Sequence, residues 1–340
     1  MKMKFQLAAA ALTVMGVSSP ALADDLVLYC SPQIEWCQVM VEAFTRETGI
    51  NVAMTRKSSG ETFAQIKAEA DNPRGDVWWG GTGDPHLQAA EEGLTEEYHS
   101  PMLEKLHPWA QKQAKQSGYR TVGIYAGALG FGYNSELLDQ KGLKAPECWA
   151  DLTDTALVNE VEIANPNSSG TSYTMLATMV QLMGEDKAFD YLRELHKNIA
   201  QYTKSGSAPI KDAARGEVTV GIVFQHDAVT QTVEGFPIVT VAPCEGTGYE
   251  IGSMSIIKGG PNPDSAKKFY DFALRADVQE LAAEAKAYQV PSNASAKAPP
   301  AAPDFSKIKL IDYDFAKYGS SDERSRLLAK WDAEIGSLPK

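Results

Sequence analysis

Strand, turn and helix alternate along this chain, and this alternation constrains its fold more than any other feature of the sequence. Within the first hundred residues, three short apolar runs are each followed by serine, threonine or glycine residues and then by a helical pattern. These predicted strands are 26–29, 51–55 and 76–79. Strands that alternate with helices form a mainly parallel sheet with helices packed on its faces. We therefore predict an α/β fold.

Local signals predict where the first helices begin and end. Ser31 is a favourable N-cap for the first helix, Pro32 suits the first helical position, and Gly49 stops the helix. Ser58 and Glu61 have the spacing of a capping box at the start of the second helix. Each of these turns is thus predicted to hold small polar residues at the carboxyl end of a strand.

A glycine-rich strand separates this first α/β region from a second one. We interpret residues 121–134 as a strand on which the chain crosses between two lobes, and 238–242 and 252–257 as the return crossing. The second region is predicted to contain strands 161–164 and 218–224 and a helix at 170–183. The last third of the chain is predicted to be helical.

The N-terminus has the features of a secretory signal. The chain begins Met-Lys-Met-Lys, continues with an apolar stretch at 5–17 and reaches an Ala-Leu-Ala cleavage motif at 21–23. We predict that residues 1–23 are a signal peptide that is cleaved after Ala23, and that the mature protein is periplasmic. The apolar stretch is too short to span a bilayer.

Length and charge limit the partners of the mature chain. Without its first 23 residues, the 340-residue chain still exceeds the roughly 250–300 residues at which single cores split into domains. The net charge of −12 becomes −14 when the two positive charges of Lys2 and Lys4 are lost. Such an acidic protein is unsuited to nucleic acid or anionic lipid. A small anion can still be bound by backbone N–H groups and hydroxyls.

Four cysteines in an exported protein allow disulfides to persist. Cys30 ends a predicted strand and Cys37 lies two turns into the next helix, which favours a local bridge between them. Cys148 and Cys244 would then form a second bridge, and buried free thiols are the alternative. The cysteine spacing does not match a zinc site, so no metal is predicted.

A loop at 167–172 is the best candidate anion site. It reads Asn-Ser-Ser-Gly-Thr-Ser, follows a predicted strand and opens a helix. A helix N-terminus offers unpaired N–H groups and a partial positive charge, and Gly170 allows a ligand to approach the backbone closely. Ordinary helix capping explains the same residues equally well.

Three stretches together resemble a known family. They are Ala-Asp-Leu at 150–152, Ile-Ala-Asn-Pro at 163–166 with Ser-Gly at 169–170, and Ala-Arg-Gly-Glu-Val-Thr-Val-Gly at 214–221. Their order and spacing resemble the ferric-iron-binding-like periplasmic receptors, which are type II periplasmic binding proteins of ABC importers. The resemblance implies two α/β lobes that are joined by crossover strands and close over a ligand, which they present to the permease. It implies a first part of lobe 1 at 24–125, lobe 2 at 126–250, and the return to lobe 1 with C-terminal helices at 251–340.

The resemblance also implies a ligand. Iron-binding members carry a tyrosine pair at the positions of His226 and Asp227, so this chain is expected to bind something else. Hexose-phosphate receptors resemble this chain in having a His-Asp pair and, about 23 residues later, a glutamate, here Glu250. These three side chains are predicted to bind the sugar. The phosphate is predicted to lie against Ser31, Ser59, Gly60, Thr82, Ser168, Ser169, Gly170, Thr171 and Ser207.

Other residues near the predicted cleft are ambiguous. Arg56, Lys57 and Lys204 are cations that more often face water than a ligand. Trp78 and Trp79 are predicted to be strand core rather than an aromatic face for the sugar.

The predicted function is that of a receptor for a hexose 6-phosphate-like ligand, acting as a monomer without a cofactor and with an ABC permease as its partner. Receptors for 2-aminoethylphosphonate or ferric iron are the alternatives within the fold. A phosphate-ester hydrolase that uses His226, Asp227 and Glu250 is a more distant one. The sequence contains no G-x-S-x-G, no P-loop and no H-E-x-x-H motif, so an enzyme is not favoured.

Overall fold

The computed structural model describes residues 25–339, so the predicted signal peptide at 1–23 lies outside the described residues. The strands of the described chain are β1 (Asp25–Cys30), β2 (Asn51–Arg56), β3 (Val77–Trp79), β4 (Val122–Asn134), β5 (Val161–Ala164), β6 (Ile199–Thr203), β7 (Val220–Phe224), β8 (Ile238–Val241), β9 (Tyr249–Ile256) and β10 (Val290–Pro291). The α-helices are α1 (Ile34–Thr48), α2 (Ser59–Ala68), α3 (Gly83–Glu91), α4 (Pro108–Gln116), α5 (Ser135–Lys141), α6 (Gly170–Met183), α7 (Glu185–Asn198), α8 (Ala208–Ala214), α9 (Gln225–Val233), α10 (Pro263–Ala273), α11 (Ala276–Gln279), α12 (Phe315–Tyr318) and α13 (Ser321–Trp331). Short 3-10 turns lie at Leu103–Lys105, Ala150–Thr153, Thr155–Leu157, Glu280–Ala283 and Phe305–Lys307, and a π-helical turn lies at Asp332–Gly336.

The strands form a mixed sheet with parallel groups at both ends. The strand order is β2-β1-β3-β9-β4-β7-β5-β6, and β10 and β8 also pair with β4. At one end β1 is parallel to β2 and β3, and at the other β5 is parallel to β6 and β7. The antiparallel pair β4–β9 lies between the two groups.

The long strand β4 connects two lobes. Its first half pairs with β9, up to Ala128, and its second half pairs with β7 and β8. Val122 near its start belongs to a core that includes Trp36 and Phe269, whereas Phe131 belongs to a second core that includes Trp149. The predicted α/β fold of two lobes joined by crossing strands is therefore confirmed. The residue boundaries of the lobes stay a prediction.

The C-terminal helices pack on the second lobe. Leu327 and Trp331 of α13 belong to the second core, together with Tyr313 and Tyr318. The guanidinium of Arg324, on the same helix, is buried and donates to Gln88 Oε1 of α3 at 3.0 Å. The end of the chain thus joins lobe 2 to a helix of lobe 1.

Helix α1 begins two residues later than Ser31 and Pro32 predict. Gln33 is its N-cap, because the Ser31 hydroxyl already accepts a hydrogen bond from Trp78 Nε1 at 2.9 Å. That hydroxyl also hydrogen-bonds to Thr62 Oγ1 at 3.1 Å. The prediction that Ser31 caps this helix is therefore wrong. The helix ends as predicted at Gly49, whose φ of 73° favours glycine.

Other local predictions hold. The capping box of Ser58 and Glu61 is present at the start of α2. Strand β5 and helix α6 have the predicted bounds. Trp78 and Trp79 are buried in the sheet, as expected for core residues.

The four cysteines form two disulfides. Cys30 is joined to Cys37 with an S–S distance of 2.04 Å, and Cys148 is joined to Cys244. The first disulfide ties the end of β1 to helix α1, so it constrains the turn that contains Gln33.

Candidate ligand-binding site

A polar cavity lies between the lobes, at the carboxyl ends of strands from both. It contains about 400 Å³ of space not occupied by protein atoms. Ten residues that the sequence predicts for the site line it, namely Ser31, Ser59, Thr82, Ser169, Gly170, Thr171, Ser207, His226, Asp227 and Glu250. In open α/β sheets, ligands bind at this edge, where the turns after several strands converge.

Two predicted site residues join the lobes instead of lining the cavity. The backbone N–H groups of Gly60 and Glu61 donate to the carbonyl of Ser168 at 3.0 and 3.3 Å. A Cβ atom at Gly60 would lie 2.1 Å from the Asn167 carbonyl oxygen, so only glycine permits this approach. The Ser168 hydroxyl donates to the Lys204 carbonyl at 3.0 Å. The prediction that Gly60 and Ser168 contact the ligand is therefore corrected.

Hydroxyl groups from both lobes meet at one end of the cavity. Thr82 N donates to Ser59 Oγ at 3.1 Å, and the buried Thr82 Oγ1 has no protein partner in the described chain. A Cβ atom at Gly170, the first residue of α6, would lie 1.8 Å from Thr82 Oγ1. The two lobes thus approach each other closely where the helix N-terminus of α6 faces the threonine.

The remaining side of this end comes from lobe 2. A Cβ atom at Gly206 would lie 2.1 Å from Thr171 Oγ1 and 2.8 Å from Ser169 Oγ. Ser207 Oγ lies 3.4 Å from Ser205 Oγ. We call the part of the cavity lined by Ser59, Thr82, Ser169, Gly170, Thr171 and Ser207 the hydroxyl end.

The guanidinium of Arg56 borders the hydroxyl end. Arg56 also lines the cavity, and its Nε donates to the Pro32 carbonyl at 2.9 Å. Its Nη2 lies 3.4 Å from both Ser31 O and Ser205 Oγ. Burial lowers the pKa of Arg56, while Asp227 opposes this effect, and an arginine keeps its charge at neutral pH. The hydroxyl end therefore combines hydroxyls, a helix N-terminus and one cation.

Acidic and imidazole side chains also line the cavity. His226 Nε2 lies 3.8 Å from Asp227 Oδ2 and 3.9 Å from Glu250 Oε1, which is too far for direct hydrogen bonds. His226 and Asp227 lie in the first turn of α9, directly after β7, and Glu250 lies on β9. We call the part of the cavity lined by His226, Asp227 and Glu250 the acid end.

The position of His226 depends on a glycine. A Cβ atom at Gly127 would lie 2.6 Å from His226 Nδ1 and 3.1 Å from Glu250 Oε1. Phe224 stacks on the imidazole, with ring centroids 5.5 Å apart. The ring of His226 thus contacts both the backbone of β4 and an aromatic side chain.

Burial controls the protonation of the acid end. It raises the pKa of Glu250 well above its ordinary value, and the negative charges of Asp227 and Asp84 raise it further. Burial also lowers the pKa of His226, which favours the neutral imidazole. A protonated Glu250 can donate as well as accept hydrogen bonds, and His226 Nδ1 has no protein partner in the described chain.

Several lining residues have no signal in the sequence. Gln33 Nε2 donates to Asp227 Oδ1, and Gln289 Nε2 donates to Gln33 Oε1 at 3.4 Å. The hydroxyl of Tyr125, also in the lining, accepts a hydrogen bond from Gly81 N at 2.9 Å. A lone glutamine or tyrosine carries no motif, so only the fold reveals these contacts. Arg56, the last residue of β2, is one of the three cations that the sequence places near the cleft, and the structure places its guanidinium in the lining.

Comparison with known proteins identifies the family. A sequence profile described as bacterial extracellular solute-binding protein matches residues 82–318. The chain belongs to this family. An uncharacterized protein of Haemophilus influenzae is 47% identical over 331 residues, which cover 97% of this chain and 95% of that protein. No helix in residues 25–339 is long and apolar enough to cross a membrane.

Two solved structures are similar over nearly the whole chain. The periplasmic binding protein AfuA of Actinobacillus pleuropneumoniae, with exogenous fructose-6-phosphate bound, is 50% identical with a TM-score of 0.90. The periplasmic binding protein P5PA is 43% identical with a TM-score of 0.89. Each comparison covers 92% of this chain and 99% of the other. The chain thus has the fold of a type II periplasmic binding protein.

Proposed function

We propose that this protein is the periplasmic receptor of an ABC importer that captures a hexose 6-phosphate-like ligand and delivers it to the membrane permease. The observation that carries the proposal is the polarity of the cavity. Hydroxyls and Arg56 line the cavity together with His226, Asp227 and Glu250, so it offers both anion-binding donors and acceptors for hydroxyls. A ligand with an anionic group and several hydroxyls matches both ends.

The hydroxyl end suits a phosphate. Threonine and serine hydroxyls donate hydrogen bonds, and the N-terminus of α6 adds N–H groups and a partial positive charge. Arg56 supplies a charge-assisted donor. The buried Thr82 Oγ1, without a protein partner in the described residues, is a donor for the phosphate oxygen.

The acid end suits the hydroxyls of a sugar. Carboxyl oxygens accept hydrogen bonds from hydroxyls, and a protonated Glu250 can also donate one. Keeping the carboxyls at the end opposite the phosphate avoids repulsion between like charges. The similarity to AfuA, which was solved with fructose-6-phosphate bound, supports a sugar phosphate as the ligand.

A receptor for 2-aminoethylphosphonate is the second candidate, because Asp227 and Glu250 suit an amine as well as hydroxyls. Asp227 already accepts a hydrogen bond from Gln33, and burial favours the uncharged form of Glu250. These two facts favour hydroxyls over an ammonium group. Ferric iron is disfavoured because the tyrosine pair is replaced.

The arrangement of His226 favours binding over catalysis. Its imidazole has no hydrogen bond to a hydroxyl or thiol within the described part of the chain, so no activated nucleophile is formed there. We therefore propose that the protein is not an enzyme. Turnover of glucose 6-phosphate by the purified protein would contradict this.

Thermal-shift screening of refolded, ligand-stripped mature protein tests the proposal. The panel consists of glucose 6-phosphate, fructose 6-phosphate, 2-aminoethylphosphonate, glucose, phosphate and ferric citrate. A ligand that binds only the native state raises the melting temperature by an amount that grows with its concentration relative to Kd. We expect the hexose phosphates to raise it and glucose or phosphate alone to leave it unchanged. A shift with aminoethylphosphonate or iron alone would refute the proposed ligand and retain the receptor role.

A further inference from the structure

The cavity between the lobes shares a wall with a second, outer groove. The outer groove contains about 930 Å³ of space not occupied by protein atoms and lies between α1 of lobe 1 and helices α8 and α9 of lobe 2. Three residues line both spaces, namely Gln33, Ser207 and Asp227. Ser207 belongs to the hydroxyl end, whereas Asp227 belongs to the acid end. At the acid end, the wall between cavity and groove is therefore the contact of Gln33 with Asp227.

The side chain of Gln33 is held across this wall from both sides. Its Nε2 donates to Asp227 Oδ1 of lobe 2, and its Oε1 accepts from Gln289 Nε2 at 3.4 Å. Gln33 is half-buried, as expected for a residue between an inner cavity and an open groove. Its amide thus occupies a position that a ligand extending beyond Asp227 would have to cross.

Helix α1 does not need this side chain. Gln33 is the N-cap, but it makes no capping hydrogen bond through its side chain. Its carbonyl accepts from Trp36 N and Cys37 N at 3.1 Å each, and the disulfide between Cys30 and Cys37 anchors the same turn. A shorter side chain at this position removes the wall and leaves the helix start in place.

We propose that Gln33 determines the length of the ligand, closing the sugar end so that one sugar unit fits and a second is excluded. This inference rests on the proposed function and deepens it. The groove behind Gln33 is lined by charged and polar side chains that can bond to sugar hydroxyls, including Glu35, Gln38 and Lys211. Shortening Gln33 joins the cavity to this groove and admits a phosphorylated disaccharide.

Isothermal titration calorimetry with glucose 6-phosphate and trehalose 6-phosphate tests the proposal. We expect the unmodified protein to bind the disaccharide phosphate at least tenfold more weakly than the hexose phosphate. In Gln33→Ala, trehalose 6-phosphate should bind at least tenfold more tightly than in the unmodified protein. Gln33→Met keeps the bulk of the side chain without its amide, so it should show no such gain.

The matched control is Gln38→Ala, on the same helix and in the lining of the groove alone. It shortens a glutamine without opening the cavity, so it should not gain affinity for the disaccharide phosphate. Melting curves without ligand check that every variant is folded. No gain in folded Gln33→Ala, or an equal gain in Gln33→Met, overturns the proposal.

The outcomes also separate this proposal from the one on which it rests. If the unmodified protein binds glucose 6-phosphate and Gln33→Ala gains nothing, only the role of Gln33 is wrong. If the unmodified protein binds no hexose phosphate, the proposed function itself is wrong.

Discussion

Replacing Glu250 by glutamine and by alanine should have very different effects on ligand binding. Glu250 is 3% exposed, and burial raises its pKa well above the ordinary value. The protonated carboxyl has an O–H donor beside a carbonyl acceptor, and the amide of glutamine keeps this shape with N–H donors beside a carbonyl acceptor. We therefore expect Glu250→Gln to change the Kd for glucose 6-phosphate by less than about threefold, which is less than 1 kcal/mol.

Glu250→Ala instead leaves a sugar hydroxyl facing an empty, water-poor space. Leaving a buried hydrogen-bonding group without its partner costs about 1–3 kcal/mol, which corresponds to roughly 5- to 150-fold in Kd. We expect at least a tenfold loss of affinity. Calorimetric titration of the two variants and the unmodified protein at pH 7 measures the difference.

A buried glutamate away from the cavity provides the matched control. Glu162 on β5 is 2% exposed, and burial and the nearby Asp212 raise its pKa to about 7, but it does not line the cavity. Glu162→Gln should leave the Kd unchanged. If Glu250→Gln loses as much affinity as Glu250→Ala while the control binds normally, the ionised carboxylate is essential. The assignment of a protonated Glu250 would then be refuted.

Three further predictions concern closure and stability. Gly170→Ala places a methyl group 1.8 Å from Thr82 Oγ1, so it should hold the lobes apart in small-angle scattering. It should also weaken ligand binding at least tenfold in calorimetry, and unchanged affinity would contradict the close approach. Burial raises the pKa of Asp84 to about 6 from 3.8, so between these pH values the folded state retains a proton that the unfolded state has lost. The free energy of unfolding therefore falls as the pH rises from about 4 to 6. In urea unfolding at both pH values, the unmodified protein should lose about 2 kcal/mol relative to Asp84→Asn across this window, and parallel pH profiles would refute the shift. Lys286 forms an exposed 3.0 Å ion pair with Glu234 across the groove, and exposed ion pairs contribute about 1 kcal/mol or less. Lys286→Ala should therefore speed ligand release no more than about fivefold in stopped-flow measurements. A larger effect would mean that the pair stabilises the closed lobes strongly.

The sequence predicts most of the loops that meet in the cavity. Serine, threonine and glycine after a strand indicate a helix N-terminus, and parallel strands bring such turns to one edge of the sheet. For this reason Ser59, Thr82 and Ser169 could be assigned to the cavity without coordinates. The assignment of His226 and Asp227 rests instead on the resemblance to hexose-phosphate receptors, and the structure places both in the first turn of α9, directly after β7.

The errors come from contacts between distant parts of the chain. The Ser31 hydroxyl could not be recognised as engaged, because its partner Trp78 lies 47 residues later. Ser168 has the composition of an anion loop, but its carbonyl binds the N–H groups of Gly60 and Glu61 on the other lobe.

The glutamines were missed because they have no local signal. Gln33 and Gln289 are 256 residues apart and meet only because the chain returns to lobe 1. A glutamine in a loop matches no binding motif, and its role depends entirely on which cavity its amide faces. Such residues modify the shape of a site whose general location the sequence already indicates.

Calorimetry with the intact ligand and with its two halves tests the central claim most directly, because the claim is that opposite ends of one cavity bind phosphate and sugar. Ligand-stripped mature protein is titrated with glucose 6-phosphate, with glucose and with inorganic phosphate under identical conditions. If each end contributes hydrogen bonds of about 1–3 kcal/mol, glucose 6-phosphate should bind at least about a hundredfold more tightly than either half. Phosphate alone binding as tightly as glucose 6-phosphate would contradict the account, since the acid end would then contribute nothing to binding.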